Sequence, residues 1–269
     1  MNDSNEAVPY RHDRLPYKSM PDFDSDGVRL HYYLHGPDDG QPVVLVHGYA
    51  SSYQLNWVGS RWQETLTNAG RLVIGLDCRG HGRSEKPHDP AAYARTVMAA
   101  DVVRLLDHLD IRKAEYLGYS MGARIGLDLL VDHQERVWKS ALAGVGKFGA
   151  GPGAEQIARA MRGDGSVDLP IAKKFAAFAR GYGPNDFEAL AACILGPHRK
   201  LEKEELAGIK TPVLVITGEK DDVLPWSKEV AEELGNARLE VIEGRNHDNA
   251  VPARPFKEKV LAFLDAGET

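Results

Sequence analysis

Ala114-Glu115-Tyr116-Leu117-Gly118-Tyr119-Ser120-Met121-Gly122 is the stretch on which the reading of this chain turns. Ala114 to Gly118 reads as a short buried strand, and Met121 to His133 as a helix directly after it. Between them Gly118-Tyr119-Ser120-Met121-Gly122 fits G-x-S-x-G, in the strand–turn–helix setting that motif requires. A serine on so sharp a turn crowds both flanks, and a side chain at either glycine would clash. The turn lifts the hydroxyl clear of the sheet, and the helix N-terminus beneath it favours nearby negative charge. The alternative is an ordinary serine in a tight turn, so the rest of the chain has to decide.

Working outward, strand-like and helix-like segments alternate from about residue 28. Gly27 to Leu34 alternates as an edge strand does. Pro42–Val46 and Leu72–Leu76 are continuous apolar runs, as suits strands covered on both faces. Trp138–Ala143, Pro212–Ile216 and Arg238–Ile242 complete the strand set. Helical spacing runs from Tyr93 to Leu109 and again from Pro255 to Leu264. The pattern predicts an α/β fold: a mostly parallel, doubly wound sheet of about eight strands with a short helical cap insertion. The expected division is an N-terminal arm (residues 1–20), a core (21–148 and 211–269) and the insertion (149–210). Gly149-Ala150-Gly151-Pro152-Gly153 opens the insertion, and three helical patterns follow around Ile157–Met161, Ile171–Phe178 and Phe187–Leu195.

Three further pieces lie at strand ends. His47-Gly48-Tyr49 follows the Pro42–Val46 strand, where this architecture draws one oxyanion-binding N–H; the residue after the nucleophile supplies the other. Tyr49 and Met121 are therefore the expected donors. Gly218-Glu219-Lys220-Asp221-Asp222 follows one late strand, and Gly244-Arg245-Asn246-His247 the last. A serine needs a base to become nucleophilic, and the imidazole needs a carboxylate to fix its tautomer. Nucleophile, acid and base thus fall on loops at one edge of a parallel sheet, where open α/β folds bind ligands.

Taken together these residues resemble the α/β-hydrolase family, from about residue 22 to the C-terminus. Asp77-Cys78-Arg79-Gly80-His81-Gly82-Arg83-Ser84 is similar to the family's loop after its fourth strand, in which Asp77 and Arg79 would tie neighbouring loops. The resemblance implies a serine hydrolase with Ser120 as nucleophile and His247 as base. It places the acid at Asp221 by the G-x-x-D spacing, with Asp222 as the alternative. A serine at the elbow argues against the family's dehalogenases and epoxide hydrolases, which use aspartate there. It implies no metal or organic cofactor.

Composition sets bounds without naming a substrate. The chain has 269 residues, 43% of them hydrophobic, and a net charge of −6 from 33 basic and 39 acidic residues. That balance offers no general attraction to nucleic acid or anionic membrane. Two cysteines, Cys78 and Cys193, give neither a disulfide framework nor metal spacing, and a cytoplasmic setting is the simplest expectation. Residues 1–20 lack the apolar core of a signal peptide, and no run approaches the roughly 18 apolar residues of a membrane span.

Competing motifs are weaker. Gly144-Val145-Gly146-Lys147-Phe148-Gly149 matches a dinucleotide fingerprint late in the chain with no acidic strand tip after it, and reads as a hinge into the insertion. Asp22-Phe23-Asp24-Ser25-Asp26-Gly27 imitates half a calcium loop, but Tyr33 stands where the bidentate Glu belongs, so it reads as a turn between edge strands. His31, His108, His133 and His198 are expected at the surface or half-buried. The expected activity is cleavage of a small or medium uncharged carboxylic ester or lactone through an acyl-enzyme. Carbon–carbon bond hydrolysis, perhydrolase-like chemistry and acyl transfer share the same triad, and a non-catalytic small-molecule receptor on the same fold is the other class. Val145, Phe175, Phe178, Leu224 and Trp226 are the candidate pocket residues. Lys147, Lys173 and Lys174 are the nearest cations in sequence for an anionic substrate.

Overall fold

In a computed structural model, which describes residues 21–146 and 153–267, one eight-stranded sheet organises the chain. The strands are β1 (Asp22–Ser25), β2 (Val28–His35), β3 (Gln41–Val46), β4 (Arg71–Leu76), β5 (Ala114–Tyr119), β6 (Val137–Ala143), β7 (Val213–Gly218) and β8 (Ala237–Ile242). Their spatial order is β1-β2-β4-β3-β5-β6-β7-β8. β1 and β2 pair antiparallel, as do β2 and β4, and every pair from β4 to β8 is parallel. The serine-bearing strand β5 lies between β3 and β6, at the middle of the sheet. The calcium-loop mimic is the β1–β2 hairpin, turned by Asp26 and Gly27 at positive φ.

Helices cover both faces. They are α1 (Trp62–Asn68), α2 (Arg95–His108), α3 (Met121–His133), α8 (Leu224–Glu233) and α9 (Arg254–Asp265), with α4 (Ala154–Met161), α5 (Pro170–Gly181), α6 (Phe187–Leu195) and α7 (Lys203–Ala207) between β6 and β7. One core gathers side chains of α2, α3, α4 and α6 on one face; the other packs Trp57, Trp62, Leu66, Phe256 and Val260 against Val43, Leu45, Val73 and Leu214. Consecutive strand residues such as Val43, Val44, Leu45 and Val46 divide between these two cores, which is why the strand carries no polar face. No helix of the described residues is long and apolar enough to cross a membrane.

The segment between β3 and β4, unassigned by periodicity, holds a π turn over Gln54–Val58 and then α1. α8 was likewise not apparent in the sequence. His31 corrects the expectation of a surface histidine: it is buried on β2, with Nδ1 2.5 Å from Asp22 Oδ1 of the neighbouring strand. The N-terminal arm, Lys147 and the opening of the insertion lie outside the described residues.

The loop after β4 behaves as a buried brace. Asp77 accepts from the N–H groups of Tyr53 (2.8 Å) and Arg83 (2.9 Å) and from the Tyr33 hydroxyl (3.1 Å). Arg79 makes a two-pronged pair with Asp101 of α2, at 2.8 and 2.6 Å, and donates to the Ala92 carbonyl. Both Asp77 and Arg79 are buried, so these bonds join the loops on three sides of the β4 tip.

Candidate active site

Ser120 sits at φ 53° and ψ −106°, a conformation that costs a side-chain-bearing residue about 1–3 kcal/mol and persists only when its surroundings enforce it. The enforcement is visible. The Ser120 N–H is held by the Ala143 carbonyl of β6 at 2.8 Å, and the Ser120 carbonyl accepts from Arg124 in the first turn of α3. A methyl group at Gly118 would lie 2.4 Å from the Gly122 carbonyl oxygen, and one at Gly122 would lie 2.1 Å from that of Val46. Only glycine at both positions lets β5, β3 and α3 approach this closely.

The three chemically active groups meet at the carboxyl ends of β5, β7 and β8. His247 Nε2 is 3.1 Å from Ser120 Oγ, and its Nδ1 is 2.9 Å from Asp221 Oδ2. Asp221 also accepts from Thr217 Oγ1 (3.0 Å) and, through Oδ1, from the Val223 N–H (3.0 Å). Burial would raise this carboxyl, but the His247 hydrogen bond and charge, with the Val223 and Thr217 bonds, hold it below the ordinary aspartate range. Asp222 is exposed, and the imidazole is partnered by Asp221. An acceptor carboxylate at Nδ1 leaves Nε2 free to accept the serine proton.

One residue that the sequence reading did not single out steadies the histidine. The Tyr119 hydroxyl donates to the His247 carbonyl at 2.6 Å, and the two rings lie 5.0 Å apart. Burial, then the nearby Asp221 and Asp248, push that phenol well above its usual range, so it stays a donor. Tyr119 was in plain view as a variable position of the pentapeptide, but its bond spans 128 residues and has no local signal.

The Tyr49 loop is pinned from both sides. His47 Nδ1 donates to the Gly48 carbonyl (2.8 Å), and its Nε2 accepts from the Cys78 N–H (3.0 Å). A carbonyl can only accept and an amide N–H only donate, so the buried ring is neutral with its proton on Nδ1. Burial holds its pKa down, against the pull of Asp77. On the other side the Gly48 N–H donates to Asn56 Oδ1 at 2.8 Å. The His47 bond thereby fixes the Gly48–Tyr49 peptide plane and the Asn56 bond the His47–Gly48 plane before it. Met121 opens α3, so its N–H has no carbonyl one turn earlier to bond.

A cavity of about 650 Å³ opens beside these groups. It is lined by Ser120, His247, Tyr49 and Tyr119, by the π-turn segment from Leu55 to Ser60, and by one face of α5: Ile171, Lys174, Phe175, Phe178 and Tyr182. Phe175 and Phe178 thus stand where a substrate would contact them, and the Tyr49 ring packs edge-on to Phe175 at 5.4 Å. Val145, Leu224 and Trp226 are not in this lining and correct the sequence reading. Ser227 of α8 donates to the buried Val145 carbonyl at 2.6 Å, so Val145 and the first turn of α8 engage each other instead. Trp226 is largely exposed and lies over Gly146. The Met121 side chain is also outside the lining, its sulfur 3.9 Å from that of Cys193 on α6. Of the lysines weighed for an anion, Lys173 pairs with Asp168 on the surface, while Lys174 reaches the cavity and pairs with Asp248 at 2.8 Å.

Comparison with known proteins supports the fold. The model of the α/β hydrolase fold matches residues 41–153. The chain is 29% identical to a candidate carbamate hydrolase (RutD) of Variovorax paradoxus, over 87% of this chain and 96% of that one. It is 27% identical to 3-oxoadipate enol-lactonase 2 of Acinetobacter baylyi, over 88% and 93%. Among solved structures it is similar to a hydrolase from Pseudomonas aeruginosa, with a TM-score of 0.77 and 25% identity over 93% of this chain and all of that one.

Proposed function

We propose that this chain, an α/β-hydrolase-fold protein, cleaves an uncharged carboxylic ester or lactone of small to medium size through an acyl-enzyme on Ser120. The observation that carries the reading is the continuous hydrogen-bonded line from Ser120 Oγ through His247 to Asp221. In this reading His247 takes the Ser120 proton as the hydroxyl attacks the carbonyl, and later returns it to the leaving alcohol. Asp221 keeps Nδ1 protonated and stabilises the imidazolium. The N–H groups of Tyr49 and Met121 receive the charge that develops on the carbonyl oxygen. Water then repeats the sequence to release the acid.

Cavity size and charge support the substrate class. About 650 Å³ is within the usual range for small-molecule sites, and the cationic Lys174 is already neutralised by Asp248. Relatives that carry hydrolase and enol-lactonase names span nearly the whole chain, which favours hydrolysis over a receptor role. The test is labelling with a fluorophosphonate probe together with turnover of short esters and lactones. Ser120 is the expected adduct, and Ser120→Ala should lose several orders of magnitude in kcat while keeping the wild-type Tm. Turnover within about tenfold of wild type in that variant would overturn the mechanism.

A further inference from the structure

The active-site cavity has two unlike walls. The α5 wall is apolar apart from the neutralised Lys174. The other is the segment around the π turn, where Ser51, Leu55, Asn56, Gly59 and Ser60 line the space without a single ionisable side chain. The orientation of the Asn56 amide is set by its neighbour: the Gly48 N–H can only donate, so the atom it meets at 2.8 Å is the amide oxygen. The NH₂ group is therefore turned away from Gly48. It has no hydrogen-bond partner among the described residues, in a side chain that lines the cavity. Ser51, in the same wall, is nine-tenths buried, and its hydroxyl also has no partner. Asn56 is only half-buried, so its NH₂ is solvated in the empty cavity and available to an acceptor on a bound substrate.

We propose that the Asn56 NH₂ forms a recognition subsite for an uncharged hydrogen-bond acceptor on the substrate, an ether oxygen or a second carbonyl, on the π-turn part of the cavity lining. The inference rests on the hydrolase reading above and narrows its substrates to bifunctional esters or lactones: one apolar group along Phe175 and Phe178, one acceptor against the π turn. Asn56 holds the Gly48 N–H with its oxygen and would hold the substrate with its NH₂. An acceptor that orders this amide also steadies the His47–Gly48 peptide, which directly precedes the one that carries the Tyr49 N–H. Binding there would accordingly raise kcat as well as lower KM.

The test compares a methoxyethyl group with a butyl group, which differ only by oxygen for CH₂. The pair is made once on the acyl half and once on the alcohol half of otherwise identical esters. A featureless apolar pocket would disfavour the ether about fourfold in kcat/KM, from the lost CH₂ burial. With the subsite, the ether-to-alkyl ratio should reach one or more on one of the two halves. Asn56→Asp keeps an oxygen for Gly48 and removes the NH₂, so the ratio should fall about three- to tenfold. Because both esters share the oxyanion groups, general damage to the site cancels in the ratio. A wild-type ratio near one quarter on both halves, or a ratio unmoved by Asn56→Asp, would overturn the subsite. If the wild type cleaves none of these esters, the hydrolase reading fails by itself. The subsite is then judged by calorimetric titration of methoxyethyl and butyl methyl ketones, where an affinity ratio unchanged by Asn56→Asp overturns it.

Discussion

Replacing Asp221 by Asn isolates what the buried carboxylate does. The amide is the same size, so packing is retained, but its two ends are no longer equivalent. Oδ1 of Asp221 receives the Val223 N–H, a donor that cannot reverse, so the new oxygen must take that position. The NH₂ then faces Thr217 and His247, where Oδ2 now stands. Thr217 adapts by turning its hydroxyl to accept, but the imidazole adapts only by moving its proton to Nε2. That nitrogen, 3.1 Å from Ser120 Oγ, can then no longer accept the serine proton. In serine triads this wrong-tautomer state costs about 10⁴ in kcat, or ~5 kcal/mol of barrier. Steady-state kinetics on any cleaved ester give the number, and thermal melting checks that the fold is retained. Asp222→Asn, changing an exposed side chain, should stay within about threefold of wild type. A larger kcat loss in Asp222→Asn than in Asp221→Asn would refute the reasoning.

Arg79→Met should lower stability by about 3–5 kcal/mol, because it strands the buried Asp101 carboxylate; adding Asp101→Leu should recover part of the loss, and urea unfolding of the three variants measures it. His81 is fully buried and its pKa is pushed down to about 3 by burial and then by His47, so the unfolded chain binds this proton first as pH falls. The stabilisation it gives is complete above about 6.5 and is lost toward about 3: between pH 6 and 4 the wild type should lose ~1.4 kcal/mol per pH unit more than His81→Asn, and an equal slope in the two proteins would contradict this. Replacing Phe175 and Phe178 together by alanine should cut kcat/KM at least tenfold for butyl-chain esters and much less for acetate esters; an unchanged chain-length profile would show that α5 does not contact the substrate.

Much of the architecture was legible because its signals are local. Several strands are short apolar runs that need no partner to be recognised, and the elbow announces itself through glycines that contact and geometry forbid to be anything else. His247 and Asp221 were legible for the same reason, each lying a few residues past a strand end. The π turn and α1 were not: Leu55, Val58, Trp62 and Leu66 stand at helical spacing, but Gly59 and Ser60 interrupt the stretch, and part of what holds it is distant. Trp62, for instance, donates to the Val251 carbonyl across 189 residues. Asn56 is hidden by the same irregular turn. Trp226 misled because an aromatic five residues past the acid suggests a pocket wall, whereas the Ser227 bond to Val145 turns the start of α8 elsewhere.

The insertion does more than line the cavity: its contacts reach the loops that carry the proposed catalytic groups. It touches three of the four loops that supply chemistry. The Tyr49 hydroxyl donates to the Leu190 carbonyl of α6 at 2.7 Å, tying the oxyanion loop to the insertion. The Met121 sulfur, beside the nucleophile, meets Cys193 of the same helix. Lys174 of α5 pairs with Asp248, the residue after the base. Only the Asp221 loop is braced from within the core, by Thr217 and Val223. The exposed Lys174–Asp248 pair is the weakest of these ties, since a solvated ion pair contributes about 0–1 kcal/mol. On α6, the buried Tyr49–Leu190 hydrogen bond is the stronger tie and the part-buried Met121–Cys193 sulfur contact the weaker, so in the proposed mechanism both oxyanion-donor segments lean on one helix of the insertion.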